Sequence, residues 1–268
     1  MATTQEKMSM RDKLQESVGK PHLSYSSLKY ALGDMKLWEM YMRGQLKKES
    51  DALTFGTMYD MLLFEPEKAR STYVILDDEK ILGWCSEKTQ SMKKPQMTTE
   101  YKTIEAQMIE EIKEKNQMAV SGDDWKKAED MIQRLKDCGL YDKRFSGGKY
   151  QVEFNVDHQG VPLKGFLDCL QDDCIIDSKS SRSINKFRYD VSSFSYDIQA
   201  YIYTKVFDIP DFYWVVQEKA YPYFPADVKC SEETLFKGEM KFHEAVENIN
   251  NWLSGGRKTD THYAEFIV

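Results

Sequence analysis

The sequence predicts an α/β protein in which a mixed central sheet is flanked by helices, with a helical N-terminal part. Two short apolar-rich runs, LKGFLDCL at 163–170 and CIIDSK at 174–179, are separated by a polar turn and predict a β-hairpin. The segment SYDIQAYIYTKVFD at 195–208 has helical character. The run FYWVVQEK at 212–219 is strongly apolar and predicts another strand. Strands and helices within one stretch of chain favour the α/β class.

The remaining elements are predicted from caps, periodicity and turn residues. Helices are expected from a cap at Ser26 or Ser27 to about Met42, after Phe55-Gly56, at 99–116, at 123–138 and at 231–253. We interpret 73–98 as a strand plus an irregular loop, and 149–156 as a strand that leads into the hairpin.

Length and composition favour one folded domain. With 268 residues the chain can bury a sizeable core, and we predict an N-terminal extension at 1–21 and a single domain at 22–268. No apolar run approaches the roughly 18 residues needed to span a membrane, and the start lacks the apolar core of a signal peptide. Five cysteines without regular spacing suggest reduced thiols in a cytosol.

The predicted hairpin places two carboxylates close together. If Leu170 pairs with Ile175 across the turn, Asp168 lies opposite Asp177. Two like charges in that position are unfavourable, and a bound cation would remove the penalty. Mg²⁺ takes oxygen ligands, commonly one or two carboxylates completed by water and substrate phosphate. A slip of one residue in the register would move the side chains to the other face.

The Asp177-Ser178-Lys179 triplet has two interpretations. Because side chains alternate along a strand, Asp177 and Lys179 share one face, which suits a metal ligand beside an ammonium. Most such pairs are solvated surface charges. However, Asp177 follows Ile175-Ile176 directly, and an unpaired charge at the end of an apolar strand is costly unless it is coordinated or paired.

A second pair lies on the predicted helix. Gln199 and Tyr203 are four residues apart and therefore share one face. Taken alone, the pair favours a core tyrosine beside a capping glutamine.

In this order the motifs resemble the PD-(D/E)xK nuclease superfamily, and within it the RecE-type exonuclease domain, which is exodeoxyribonuclease VIII-like. The resemblance covers nearly the whole chain from His22. Its motifs are Gly56-x-x-x-Asp60, Glu153, Asp168, Asp177-x-Lys179 and Gln199-x-x-x-Tyr203, with HLSYSSLK at 22–29, FGT at 55–57, LLFEP at 62–66 and VQEK at 216–219. The resemblance implies a restriction-endonuclease-like fold.

The resemblance also implies a set of site residues. The metal ligands would be Asp168, Asp177, the carbonyl of Ser178, Asp60 and Glu153, with Lys179, Gln199 and Tyr203 completing the catalytic site. Asp60 departs from the pattern, because the family commonly carries a histidine there. An aspartate can also ligate Mg²⁺ or Mn²⁺. A weakened site and a solvent-facing Asp60 both stay open as alternatives.

Charge argues against a protein that binds DNA through a large basic surface, because the net charge is −7. Three cations follow the proposed metal strand directly, namely Arg182, Lys186 and Arg188. They could hold a phosphate backbone near the site. The alternative is a solvated loop that enters a helix.

The implied activity is Mg²⁺-dependent (Mn²⁺ possible) 5′ to 3′ digestion of double-stranded DNA from its ends. The resemblance further implies a ring-like homo-oligomer, a trimer or tetramer, which acts beside a single-strand annealing protein in phage-type DNA recombination, in the cytoplasm of a bacterium or phage-infected host. Cys169 and Cys174 lack a further pair, so we predict no iron–sulfur cluster. The alternatives are a single-strand or branched-DNA nuclease of the same superfamily and a non-catalytic DNA-binding relative.

Overall fold

The fold is taken from a computed structural model, which describes residues 8–46 and 51–255. The predicted domain end at 256–268 and residues 1–7 of the predicted extension lie outside this part. No helix within it is long and apolar enough to cross a membrane.

The central sheet is mixed and has the order β3-β4-β5-β6-β7, while β1 and β2 form a separate parallel pair. The strands are β1 Tyr73–Ile75, β2 Met118–Val120, β3 Lys149–His158, β4 Val161–Leu170, β5 Cys174–Ser181, β6 Asp211–Glu218 and β7 Pro225–Lys229. Strands β3, β4 and β5 form an antiparallel meander, β6 pairs with β5 in parallel, and β7 returns antiparallel to β6. The predicted mixed sheet is confirmed.

Helices cover both faces of this sheet. Their bounds are α1 Met10–Val18, α2 Tyr25–Ala31, α3 Met35–Met42, α4 Asp51–Phe64, α5 Pro66–Thr72, α6 Asp78–Leu82, α7 Glu87–Gln90, α8 Thr99–Glu114, α9 Gly122–Asp137, α10 Leu140–Arg144, α11 Phe187–Ser193, α12 Tyr196–Phe207 and α13 Glu232–Leu253. Short 3₁₀ turns lie at Pro95–Met97 and Ile184–Lys186.

Each face of the sheet has its own core. Strand residues such as Ile175 and Trp214 face the first core, which α1, α2, α3, α12 and α13 complete. Their neighbours Ile176 and Val215 face the second core, against α4 and α9. Buried apolar area is the main stabilising term on both faces. Strands β5 and β6 are therefore covered on both sides, which explains their nearly continuous apolar sequences.

The N-terminal segment belongs to the first core. Leu14 and Val18 of α1, which lie within the predicted extension, are buried there. Leu23 then pairs with β4, because its N–H donates to Pro162 O at 2.8 Å and its carbonyl accepts from Lys164 N–H at 2.8 Å. The chain therefore adds a short bridge to the edge of β4 before α2 begins.

One long helix from Ser26 or Ser27 to Met42 was the wrong prediction for this segment. Ser24 caps α2 through a reciprocal pair of bonds with Ser27. The helix ends at Ala31, and Asp34 caps α3 by accepting from Lys36 N–H at 2.7 Å. Asp34 is thus a second N-cap inside the predicted helix.

Other differences concern short elements. The segment 73–98 contains β1 but continues as two short helices and a 3₁₀ turn rather than as an irregular loop. Strands β2 and β7 were not predicted, and they have three and five residues. Runs of that length carry little periodicity, and pairing with β1 and β6 stabilises them instead.

A close contact between α12 and α13 holds the helix that carries Gln199. A Cβ at Gly238 would lie 2.1 Å from Asp197 O, so only glycine permits this approach. The buried Asp197 carboxylate also accepts from Lys241 Nζ at 2.7 Å. Together these contacts place α12 firmly against the sheet.

The outer edge of the sheet offers a test of stability. Asp227 on β7 accepts two bonds from the Arg144 guanidinium, at 2.9 Å each from Nε and Nη2, and one from Lys143 Nζ at 2.8 Å. Burial alone would raise the pKa of Asp227, but the two cations outweigh it and the net shift is downward. A lowered carboxyl pKa stabilises the fold above the unfolded pKa of about 3.9, and this stability is lost as pH falls through the folded value.

We therefore expect Asp227→Asn to lower the free energy of unfolding by about 1–2 kcal/mol at pH 7 and by much less at pH 3. Denaturant unfolding at the two pH values measures the change. Asp211→Asn is the control, because Asp211 pairs with Lys229 at 2.8 Å between exposed side chains. Losses that do not depend on pH, or that match the control, would contradict the assignment.

Candidate metal-binding active site

The candidate site lies where β4 and β5 diverge. Their ladder includes the pairs Leu170–Ile175 and Cys169–Ile176, which confirms the predicted register. Beyond these pairs a side chain replaces the backbone: Ser178 N–H donates to Asp168 Oδ2 at 2.8 Å. The Asp168 carboxylate therefore lies between the two strands, directly beside the strand that carries Asp177.

Asp177 is 1% exposed and forms an ion pair with Lys179 on the same strand. The pair faces α12, and the Lys179 ammonium lies 4.9 Å from the centroid of the Tyr196 ring. The alternative of solvated surface charges does not fit this burial. The strand positions predicted to share one face do so.

Gln199 contacts Asp177 directly. Its amide donates to Asp177 Oδ1 at 2.7 Å and lies 3.4 Å from Tyr203 Oη, which in turn donates to Phe166 O at 2.9 Å. Gln199 therefore binds the Asp177 carboxylate through a hydrogen bond and does not cap a helix. Its Oε1 is buried and has no hydrogen-bond partner among the described residues. A water, an ion or a substrate donor would satisfy that oxygen.

Three carboxyl groups repel one another at this site. Burial and the charge of Asp177 raise the pKa of Asp168 to about 7. Burial raises the pKa of Asp177 as well, against the opposing effect of Lys179. Asp60 on α4 has a pKa well above its usual range because of burial and the nearby Asp168 charge. Asp60 is half-buried and lies close enough to Asp168, Asp177 and Lys179 for their charges to act on its carboxyl group.

Lys179 is the cation at the centre of this group. Burial alone would lower the pKa of its ammonium, but the charges of Asp177 and Asp168 outweigh burial and the net shift is upward. The side chain is therefore charged at neutral pH and cannot accept a proton. Its charge in turn lowers the pKa of Asp168 and of Asp177, in opposition to burial.

The residue set fits a hard divalent cation. If Asp60, Asp168 and Asp177 are all ionised, Lys179 leaves two negative charges uncompensated. Carboxylate oxygens are the ligands that Mg²⁺ and Mn²⁺ prefer. Among the described residues, no group of three or more histidine, cysteine or acidic side chains is already arranged as a metal shell. The Asp177 oxygens already contact Gln199 and Lys179. A bound cation would therefore share these oxygens with the two side chains.

A kink in β3 brings another residue to Asp168. Gln151 has a left-handed φ of 49°, which is uncommon for a residue other than glycine. The kink changes the alternation, because Tyr150 packs against the second core and Val152 against the first. Gln151 lies between the ladder pairs Tyr150–Cys169 and Val152–Leu167, next to Asp168, and its side chain lowers the Asp168 pKa in opposition to burial. Strained backbone at a site commonly serves to position a functional group.

Glu153, the metal ligand expected on this strand, is not brought to the site. Its side chain is 51% exposed and pairs with Lys164 at 2.7 Å on β4. The expectation came from the resemblance, but Glu153 lies opposite Phe166 in the ladder, two residues away from Asp168 along β4. Glu153 is therefore corrected to a surface ion-pair residue.

Two aromatic residues of the site were also missed. Tyr196 begins α12 beneath the Lys179 ammonium. Tyr25 begins α2, donates to Phe194 O and lies close enough for the charge of Lys179 to oppose the rise in its pKa that burial causes. A motif at 22–29 pointed to this segment without assigning Tyr25 to the site. Both tyrosines therefore lie near the Lys179 ammonium.

The three predicted DNA-binding cations lie just past β5. Arg182, Lys186 and Arg188 are all exposed. Arg188 donates to Tyr189 Oη at 2.8 Å, and Ile184 N–H binds the Glu218 carboxylate at 2.8 Å, which fastens this turn to β6. Exposure leaves these cations open to an anionic partner.

Comparisons with known proteins agree with this geometry. Residues 24–261 match a family model described as a PDDEXK-like domain of unknown function (DUF3799). A crystal structure from Eubacterium rectale, described as a "Putative exonuclease", superposes with a TM-score of 0.61 at 16% sequence identity, covering 96% of this chain and 89% of that chain. A search of curated proteins gave no match. The structural likeness at this identity concerns the fold.

The effects of Gln151 and Glu153 on metal binding can be compared directly, because both residues lie on β3. Gln151→Met keeps the side-chain length and removes the amide that binds Asp168, so we expect Mg²⁺ affinity to fall by about 10- to 100-fold. Glu153→Gln is the matched control on the same strand and should leave Mg²⁺ affinity unchanged. Isothermal titration of the metal-free protein measures both. A larger loss of Mg²⁺ affinity for Glu153→Gln than for Gln151→Met would support Glu153 as a metal ligand.

Asp60 predicts opposite effects on stability and on metal binding. Its folded pKa is raised, so its ionisation destabilises the metal-free fold increasingly as pH rises above the unfolded pKa. We expect metal-free Asp60→Asn to melt above the wild type at pH 8, with a smaller difference at pH 5. Saturating Mg²⁺ should reverse the order at pH 8, because the wild type gains more from the ion. Thermal unfolding with and without Mg²⁺ tests this. A variant that melts below the wild type without metal at pH 8 would exclude the repulsion.

Proposed function

Because the chain belongs to the family of PDDEXK-like domains, we propose that it is a metal-dependent deoxyribonuclease that degrades duplex DNA from an end. The observation that carries the proposal is the group formed by Asp168, Asp177 and Lys179 where β4 and β5 diverge. Two carboxylates and one buried ammonium suit the hydrolysis of a phosphodiester, whose transition state carries added negative charge on phosphate oxygens.

The chain's own residues have separate roles in this proposal. Lys179 stays protonated and stabilises negative charge on the phosphate or orients the attacking water. Gln199 holds one oxygen of Asp177, and its unpaired Oε1 can accept from that water. Tyr203 orients Gln199 through its hydroxyl, and Gln151 orients Asp168 from the other side.

The proposed metal ligands are Asp168, Asp177, Asp60 and the carbonyl of Ser178. When bound there, Mg²⁺ or Mn²⁺ supplies a Lewis acid for the scissile phosphate and lowers the pKa of a water. The repulsion among the three carboxyl groups supports this assignment, because a cation would relieve it.

The finer features of the activity rest on the resemblance to RecE-type exonucleases. We propose Mg²⁺ dependence, a preference for double-stranded ends and 5′ to 3′ polarity, which together would prepare single strands for annealing in recombination. The name of the Eubacterium rectale neighbour supports an exonuclease in general terms. A ring-like homo-oligomer, a partner annealing protein and a cytoplasmic location are proposed on the same basis.

Two alternatives make different demands on the site. A single-strand or branched-DNA nuclease would use the same residues on another substrate. A non-catalytic DNA-binding relative would not need Asp60 among the carboxyl groups or a half-buried Lys179 paired with Asp177. Both features favour catalysis.

The decisive experiment compares labelled linear duplex with closed circular duplex, each with Mg²⁺ or with chelator. We expect the wild type to release nucleotides from linear DNA only, and only with metal. Lys179→Ala should lower the rate by about 10²- to 10³-fold, because a preorganised charge at the phosphate is lost. Lys205→Ala is the control, since Lys205 is an exposed lysine on α12.

The possible results separate the candidates. Digestion of circular or single-stranded DNA would favour the alternative nuclease, and a comparison of 5′-labelled with 3′-labelled duplex would give the polarity. Binding without digestion under any divalent metal would favour the non-catalytic relative. Equal activity of Lys179→Ala and Lys205→Ala would exclude the assigned site.

A further inference from the structure

A second group of cations lies beside the candidate site, at the ends of the two parallel strands. Arg182 directly follows β5 and Lys219 directly follows β6. Lys219 N–H donates to Ser181 O at 2.9 Å, so the two strand ends are joined. Lys127, from the middle of α9, completes the group.

Two of the three cations lie against one aromatic ring, and the third, Arg182, lies close enough to act on the charge of Lys219. The ammonium groups of Lys219 and Lys127 lie 5.0 Å and 5.4 Å from the centroid of Phe55 on α4. Burial together with the charges of Lys127 and Arg182 lowers the pKa of Lys219. Lys127 pairs with Asp124 at 3.1 Å, which partly compensates the charge. Lys219 forms no ion pair with any described residue, so the group retains an excess of positive charge.

Such a group is unusual in a chain with net charge −7. Like charges in a half-buried position destabilise the fold unless an anion binds between them. Asp124 is one carboxylate for three cations. The arrangement therefore fits a ligand that brings its own negative charge.

The position of the three cations relative to the candidate site indicates which anion they would bind. Arg182 follows Lys179 by three residues at the end of β5, which corresponds to about 10 Å at about 3.3 Å per strand residue. The phosphates of one DNA strand follow one another at intervals shorter than this span. A strand whose scissile phosphate lies at Asp168 and Lys179 would bring another phosphate to the cations.

We propose that Lys127, Arg182 and Lys219 form a subsite for a backbone phosphate that neighbours the scissile one on the same strand. This inference rests on the proposed function and adds Lys127 and Lys219, which come from distant parts of the sequence. The subsite holds the strand in register with the carboxylates. It makes no contact with the bases and so adds affinity without sequence preference.

The test is binding of a short duplex with 5′-hydroxyl ends, in which every phosphate is internal. Fluorescence anisotropy in Ca²⁺, used in place of Mg²⁺ to suppress turnover, gives Kd as a function of salt. We expect Lys219→Gln and Lys127→Gln each to weaken binding by roughly five- to tenfold and to reduce the salt slope by about one. Lys219→Arg should retain wild-type binding, because it keeps the cation.

The chain provides a closely matched control. Lys126 is adjacent to Lys127 on α9, is exposed and pairs with Asp130 at 3.3 Å. Lys126→Gln removes the same charge from the same helix and should change neither Kd nor the salt slope. Thermal unfolding of each variant shows whether Phe55 packing is retained, and Lys219→Arg separates loss of charge from loss of packing.

The outcomes distinguish this subsite from the proposed activity. If the wild type digests linear DNA with Mg²⁺ but Lys127→Gln and Lys219→Gln bind like Lys126→Gln, the subsite is excluded and the nuclease stands. If the variants lose affinity and slope as expected but the wild type digests nothing, the phosphate subsite stands and the nuclease is excluded. A wild type that neither binds nor digests DNA overturns both.

Discussion

The hydrogen bond from Ser178 N–H to the Asp168 carboxylate is the constraint on which the site depends. The Asp168 side chain, and not the β4 backbone, binds the backbone of β5 here. The two strands therefore separate beyond the Cys169–Ile176 pair. The separation makes room for the charged groups, while β6 continues to pair with β5 along its whole length. Leu23 then pairs with β4 near its start. The sheet therefore opens locally without losing its ladder on either side.

The same constraint explains why buried charges are tolerated. Asp177 lies under the protein surface on a strand covered on both faces, where an isolated carboxylate would cost several kcal/mol. Lys179 and Gln199 offset part of this cost. Lys179 also opposes the repulsion at Asp168 and Asp60, but the net pKa shift of both carboxyl groups stays upward. A site that keeps such repulsion gives up stability for affinity towards a cation, which is the usual compromise at functional sites.

Local patterns were enough to predict the hairpin, its register and the helix with Gln199 and Tyr203, because each depends on neighbours within a few residues. Gln151 could not be predicted this way. The resemblance implied Glu153 as a ligand, whereas the ladder places Glu153 opposite Phe166 and Gln151, in a left-handed conformation, next to Asp168. That conformation depends on the packing of Tyr150 and Val152 on opposite faces. Tertiary contacts, and not the local sequence, therefore decide which side chain of β3 lies beside Asp168.

Tyr25, Tyr196 and the Lys127 group were missed for a related reason, since each is close to the site only after distant segments fold together. Net charge does not describe the local charge at one place on the surface, for the same reason. At physiological salt, charges further apart than about 8 Å are largely screened. A phosphate at the ends of β5 and β6 therefore responds mainly to Arg182 and Lys219 and much less to the acidic surface elsewhere. Because parallel strands end at the same edge, the fold itself collects these cations beside the carboxylates. A chain of net charge −7 can thus present a positive path to one strand of DNA.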